Sequence, residues 1–241
     1  MKICKAILAA TAAAIVTPVA AQDAEELAAR YGARPSILDI SLSPSGNKLA
    51  IVAPDSTHGE VVKVIDLAGG AEMQSIMRNT EQNGDITSCD WATEVRLVCE
   101  LDGAVERDDG VLLWFSRIFS FNEDGSDIEV LTQSRSFRAL GFRQDGGSIV
   151  ALDVPGEENN ILMTRDYVPE MTVGTRLANE ESGLGVDAVD ITNRRRKVVE
   201  RPDDKASAFV ADETGRVRLK VLSARRGDGT LLGRRMYYYR P

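Results

Sequence analysis

One hairpin pattern recurs along this chain and limits what it can fold into. "SLSPSGNKLAIV" is followed by "SCDWATEVRLVC", "GFRQDGGSIVAL" and "AFVADETGRVRLKV". Each copy has an apolar or aromatic residue, a polar turn and an aliphatic return strand. With Gly46, Glu94, Gly146 and Gly215 as turn markers, the copies lie 48, 52 and 69 residues apart. Repeats of about 40 to 50 residues with four strands each are the sequence signature of a β-propeller, in which small sheets stand around an axis.

The intervals between hairpins hold the further strands that such a period requires. The first unit supplies "EVVKVIDLAG" and "EMQSIM"; the second supplies "LLWFSRIFSFNEDG" and "IEVLT", joined through Asp124 and Gly125. The third carries "ILMTRDY", "GVDAVDITN" and "RKVVE", and its extra length falls in Val168 to Gly185, which reads as an inserted loop. Connections longer than about 15 residues are commonly functional. The fourth unit runs from "SAFVADETGRVRLKVL" into "RRMYYYRP" and lacks a final strand. The predicted class is all-β: a partial β-propeller over residues 36–241, with about three four-stranded blades and an incomplete fourth. A helical segment over 22–35 precedes it, because "DAEELAARYG" places Asp23 as N-cap, Glu26 three residues on and Gly32 as a stop.

Residues 1–21 read as a secretory signal peptide, with Lys2 and Lys5 ahead of a short apolar run and the small residues Val19, Ala20 and Ala21. An exported, periplasmic or extracellular chain starting near Gln22 is expected, and no later segment is apolar enough to enter a bilayer. The formal charge of -8 becomes -10 once Lys2 and Lys5 leave. That acidity argues against nucleic acid or an anionic membrane surface as a partner. Cys4 leaves with the signal, so Cys89 and Cys99 remain, flanking the tight turn of "CDWATEVRLVC" in a compartment where disulfides persist. Closing that loop of 11 residues is worth roughly 2 to 3 kcal/mol by chain entropy. The other reading is a pair of buried free thiols.

Candidate chemistry is sparse. The single histidine, His58, sits in "PDSTHGE" and reads as a solvated loop residue, away from the Ser and acid that a triad needs. One His and two Cys offer no metal-ligand spacing, and neither metal nor cofactor is predicted. Asp108 with Asp109, and Glu157 with Glu158, are adjacent pairs in turns and read as hydrated. The basic run Arg194 to Lys197 reads as a charged outer strand that discourages edge pairing rather than an anion site. Tyr237 to Tyr239 read as a partner surface, with alternation burying either the middle ring or its two neighbours. Trp91, at the end of an inner strand, and Trp114 read as packing residues.

Four stretches, "YGARPSILDISLSPSGNKLAIVAP", "CDWATEVRLVC", "DYVPEMTVGTRLANEESGLGVDAVDI" and "VADETGRVRLKV", resemble the amino-terminal propeller of exported bacterial prolyl oligopeptidase-type serine peptidases, the acylaminoacyl-peptidase and dipeptidyl-peptidase group. "LSPSGNKLA" alone also resembles hairpins of TolB-type propellers. The peptidase resemblance implies a propeller that covers a Ser-Asp-His hydrolase domain and filters peptide substrates. No Gly-x-Ser-x-Gly elbow stands around Ser126, Ser148 or Ser182 or elsewhere in this sequence, so no catalytic residue is assigned. The expectation is a non-catalytic propeller that gates or positions peptide for a hydrolase domain outside this sequence. Its alternative is a free-standing exported TolB-like module binding a protein or cell-envelope partner. In both, open sheet edges invite self-association.

Overall fold

The strands alternate in a way that demands cover on both sides. In "SRIFSFN", Phe119 and Phe121 point to one face of the sheet while Ile118 and Ser120 point to the other, and all four are buried. A strand buried on both faces must be sandwiched between neighbouring sheets. The computed structural model, which describes residues 24–241 except 57, 71, 81–82, 133–135, 142–143, 176 and 228, meets that demand with four small antiparallel sheets. The signal-peptide reading and the Asp23 cap fall outside the described residues. Helix α1, Ala24–Tyr31, ends at Gly32, whose amide donates to Ala28 O at 2.8 Å. It belongs to a unit separate from the β body, which spans Pro35–Pro241.

Each sheet is a meander whose strands lie in chain order, and we call the sheets blades. Blade 1 comprises β1 (Asp39–Leu42), β2 (Lys48–Pro54), β3 (Glu60–Asp66) and β4 (Met73–Asn79). Blade 2 comprises β5 (Gly84–Trp91), β6 (Arg96–Glu106), β7 (Leu112–Asn122) and the short β8 (Glu129–Val130). Blade 3 comprises β9 (Ile149–Ala151), β10 (Asn160–Tyr167), β11 (Gly183–Asp190) and β12 (Arg196–Asp203). Blade 4 has three strands, β13 (Ala206–Ala211), β14 (Val217–Arg225) and β15 (Leu231–Tyr239). The fold is a partial propeller.

Three apolar seams join consecutive blades. Val52 and Val62 of blade 1 meet Trp91, Leu97 and Phe121 of blade 2. Val98 and Ile118 of blade 2 meet Ile161, Met163 and Val189 of blade 3. Leu162 and Val186 of blade 3 meet Phe209 and Val217 of blade 4. Equivalent turns therefore lie side by side. The Glu94 carboxylate accepts the Ser45 amide at 2.5 Å and its hydroxyl at 2.9 Å, linking the inner hairpin turns of blades 1 and 2. Gly215, in the same turn of blade 4, comes so near Asp153 O in blade 3 that a Cβ there would sit 1.9 Å away.

The third repeat departs from the sequence reading. The turn marker Gly146 does not lie in the inner turn: that turn of blade 3 runs through Gly156 between β9 and β10, ten residues beyond. The glycine pair serves close approach instead. A Cβ on Gly146 would lie 2.6 Å from Ser116 O, and one on Gly147, at φ 92°, would lie 2.2 Å from Thr164 O. The chain is threaded there between blades 2 and 3 with no space for side chains.

Polar bolts reinforce the seams. Arg96, only 2% exposed, donates from Nε to Ile191 O of blade 3 at 2.9 Å, from Nη1 to Asn122 Oδ1 and Asp127 Oδ2, and from Nη2 to Ser120 Oγ and Asp127 O. Ser120 Oγ donates to the same Ile191 carbonyl at 2.6 Å. At the first seam the fully buried Glu60 carboxylate accepts Asn79 Nδ2 at 2.9 Å and the Ile86 amide at 3.0 Å. A buried guanidinium with every donor used is stabilising only while its partners remain. Replacing Arg96 with Met nearly keeps the volume, removes its bonds to Asn122 Oδ1, Ser120 Oγ and the Asp127 carboxylate and carbonyl, and leaves Ile191 O only its bond from Ser120, so urea unfolding of Arg96→Met is expected to show a loss of about 3 kcal/mol. A loss below about 0.5 kcal/mol, the range of an ordinary surface change, contradicts the bolt.

Candidate functional site

The seam between blades 2 and 3 opens outward into a cavity of about 330 Å³. Its walls come from β7, β8, β10 and β12, from the connector 131–148, and from the long loop that follows β10. That loop occupies 168–182, since Gly183–Gly185 already belong to β11. It is pinned to the connector. Ala139 bridges Glu170, the Met171 amide donates to Arg138 O at 2.8 Å, and the Leu140 amide to Pro169 O at 2.8 Å. Arg138 further pairs with Glu170 and donates to Leu177 O at 3.2 Å.

A basic pole forms on blade 3. "ILMTRDY" and "GVDAVDI" pair so that Arg165, Tyr167 and Asp187 gather between the strands, and β12 adds Arg196. Asp187 is fully buried, accepts the Tyr167 hydroxyl at 2.6 Å and lies 3.4 Å from one nitrogen of each guanidinium. One carboxylate thus serves two arginines. Arg196 also donates to Leu131 O across the seam. Arg165 stacks 4.1 Å from the Tyr167 ring centre and keeps a quarter of its side chain accessible. Burial, then the bond to Asp187, pushes the Tyr167 phenol above its usual value.

An acidic pole lies alongside. A second cavity of about 240 Å³ shares Arg117, Asp145 and Gly147 with the first and adds Glu100 and Asp102. Arg117 donates to two carbonyls, Ser116 O at 2.6 Å and Gln144 O at 3.1 Å. Asp145 accepts Ser116 Oγ at 3.2 Å and the Gly147 amide at 2.7 Å. Burial raises the Glu100 carboxyl, the Ile149 amide opposes that, and Asp102, Asp90 and Asp145 add to the rise. Among the described residues no group of three or more His, Cys, Asp and Glu side chains is placed to hold a metal ion.

The residues singled out from the sequence lie elsewhere. His58 is exposed in the β2–β3 turn of blade 1. Cys89 and Cys99 are register partners on the blade 1 side of β5 and β6, bonded sulfur to sulfur with their Cα atoms 4.1 Å apart. Asp109 pairs with Arg107 at 3.1 Å in the β6–β7 turn that also holds Asp108. Glu157 takes Asn160 Nδ2 at 2.5 Å and Lys197 Nζ at 2.6 Å, beside Glu158. Trp91 is buried in the first seam, its Nε1 without a hydrogen-bond partner.

Three readings are corrected. Trp114 is 71% exposed, because β6 and β7 extend past the ends of β5 and β8 as a two-stranded ribbon with no sheet to pack on. Tyr237, Tyr238 and Tyr239 are all exposed, since β15 is an edge strand open on both faces. The run Arg194 to Lys197 is not simply a solvated edge. Arg194 pairs with Glu129 of blade 2 at 2.9 Å, and Arg196 turns inward to Asp187. Sequence reasoning passed over Asp187, Arg165 and Tyr167, although an acid inside the aliphatic run "GVDAVDI" was a visible signal of a buried partner.

No family model matches the chain, and no curated relative was found. Among solved structures, TolB from Acinetobacter baumannii is similar at 13% identity and a TM-score of 0.35, over 83% of this chain and 42% of that one. The apo isopeptidase AtxE2 is similar at 11% identity and a TM-score of 0.29, over 76% and 44%. The chain thus spans less than half the length of either structure. Both likenesses are low, and the fold assignment rests on the strand order and seams described above.

The raised Glu100 carboxyl yields a pH prediction. Folding raises its pKa, so the folded chain holds this proton more tightly than the unfolded chain. That contribution is present below the usual glutamate value of 4.5 and is lost as pH rises through the raised value. At neutral pH the charge opposes folding. Glu100→Gln should therefore melt higher than the parent at pH 7 and converge with it below pH 4.5. A lower melting point at pH 7 would show that the charge is compensated.

Proposed function

We propose that this chain is a non-catalytic propeller module of an exported protein and that it holds a polypeptide at the blade 2–3 cavity. The supporting observation is the pairing of a basic pole, Arg165 and Arg196 sharing Asp187, with an acidic pole, Glu100, Asp102 and Asp145, under a pinned loop. Peptides carry both charges and an amide backbone, so a two-signed, partly desolvated groove suits them better than it suits a simple anion or cation. No Ser, Thr or Cys at the cavity has a histidine beside it, His58 being in blade 1, so the module binds rather than cleaves.

The domain plan that goes with this reading is a leader over 1–21, a helical segment over 22–35 and a propeller over 36–241. Export is supported by the composition of the leader and by the bonded pair Cys89–Cys99. No helix of the described residues is long and apolar enough to cross a membrane. A narrower form of the same reading is the propeller portion of a prolyl oligopeptidase-type peptidase, positioning peptide for a hydrolase domain carried elsewhere. It is favoured by the inserted loop 168–182, which stands at the rim of the cavity.

A panel of fluorescent peptides of both charge signs, followed by anisotropy, tests the proposal. Binding should weaken about tenfold in Arg165→Gln, equivalent to about 1.4 kcal/mol, and the peptide should be recovered uncleaved. A panel that does not bind, or binds the variant equally well, contradicts this site.

A further inference from the structure

The buried carboxylate of Asp187 is divided unevenly among its three partners. Its Oδ1 accepts the Tyr167 hydroxyl at 2.6 Å, the length of a full-strength bond to an ionised oxygen. Its Oδ2 lies 3.4 Å from Nη1 of Arg165 and 3.4 Å from Nη1 of Arg196, well beyond the roughly 2.7 to 2.9 Å of a charge-assisted N–H to carboxylate bond. One negative charge thus faces two positive ones and grips neither. The cluster is left with a single positive charge in excess.

The two arginines are not equivalent. Arg196 is committed to the seam, where its Nη2 donates to Leu131 O and only 15% of its side chain is accessible. Arg165 is held by its flat face, stacked 4.1 Å from the centre of the Tyr167 ring, which leaves the edges of the guanidinium for hydrogen bonds. That ring is fixed at its hydroxyl by Asp187, so the guanidinium rests on an anchored platform. Among the described residues nothing accepts from Arg165 Nε or Nη2, and the side chain lines the cavity. The neighbouring cations are engaged otherwise: Arg138 pairs with Glu170, and Arg117 donates to Ser116 O and Gln144 O on the wall it shares with Asp145.

We propose that Arg165 reads one carboxylate of the polypeptide held in this cavity. The inference rests on the peptide-binding reading of the cavity and adds which group of the peptide is recognised. A carboxylate offers two coplanar oxygens to two parallel N–H donors, the arrangement that a guanidinium edge matches, and its one charge balances the one in excess. A phosphate group carries nearly two charges, which overshoots that balance and meets Asp145 and Glu100 on the adjoining wall. A chain-terminal carboxylate and an Asp or Glu side chain offer the same chemistry. The cavity, about 330 Å³, is at the small end of ligand sites and takes only a short piece of a polypeptide.

Short peptides of one sequence, each with one lysine and blocked at the amino end by an uncharged dye, test this on the whole chain by anisotropy. One ends in a free carboxylate, one is amidated and carries an internal glutamate, one is amidated with glutamine at that position, and one is amidated with phosphoserine there. Either or both carboxylate probes should bind about tenfold tighter than the glutamine probe, and which of them does so names the source of the carboxylate. In Arg165→Gln the preference should vanish, the carboxylate probes falling about tenfold. Where that variant does not fold, the parent gives the answer: its Arg165 Nε–H resonance, identified by its loss in Arg165→Lys, should shift on titration with the tighter carboxylate probe and stay in place with the glutamine probe. A glutamine probe bound as tightly as the carboxylate probes, or an Nε–H resonance that does not respond, overturns the carboxylate subsite and leaves the groove standing. A phosphoserine probe bound tightest, or a preference that survives in Arg165→Gln, overturns it as well. Absence of binding by every probe removes the groove itself and the subsite with it.

Discussion

Burial of both faces of the two inner blades, 2 and 3, is the constraint from which the rest of the structure follows. An antiparallel sheet can leave one face in water only where that face is polar; strands that carry apolar side chains in both directions need cover on both. Here the central strands carry aliphatic or aromatic side chains in both directions, as Phe119 and Phe121 against Ile118 do in β7. Consecutive blades must stand face to face. The apolar seams provide the burial, at roughly 25 cal/mol per Å² of apolar surface removed from water. The bolts of Arg96 and Glu60 then fix the register, because an unmatched buried charge costs far more than a slightly loose hydrocarbon contact.

The cavity is a by-product of the same packing. Where blades 2 and 3 diverge toward the outside, apolar cover gives way to Arg165, Arg196 and Asp187, and the connector has to pass between the sheets. Only glycine fits at Gly146 and Gly147, and the resulting path brings Asp145 beside Arg117. The long loop after β10 then borders the gap through Val168, Glu170 and Asn179, tied to the connector by the Arg138–Glu170 pair. Site and seam are one construction, which is why Arg196 is both a wall of the cavity and a tie to Leu131 of the neighbouring blade.

Much of the architecture was legible in the chain. The polar turns at Gly46, Glu94 and Gly215 are where the pattern places them, and so are the strands of the first two blades and the three strands of the fourth. The third inner hairpin was misplaced because Gly146 and Gly147 have the composition of a turn but serve close approach, and only a partner backbone distinguishes the two uses. Trp114 and the three terminal tyrosines were misjudged because alternation says which side of a strand a residue faces, not whether another sheet stands there. The polar cluster escaped for a similar reason: Arg165 and Asp187 lie 22 residues apart on two strands, and only the pairing of β10 with β11 brings them together.

The central claim is that blades 2 and 3, joined by the Val98–Ile118–Met163–Val189 seam and by Arg96, form one cooperative unit. Hydrogen exchange followed by mass spectrometry, segment by segment under increasing denaturant, addresses it most directly. The account predicts that amides of β6, β7, β10 and β11 share one opening free energy and one denaturant dependence, above those of β1 and β15. Exchange in which β6 and β7 open at a distinctly different free energy from β10 and β11 would mean that the blades are separate beads, and would contradict it.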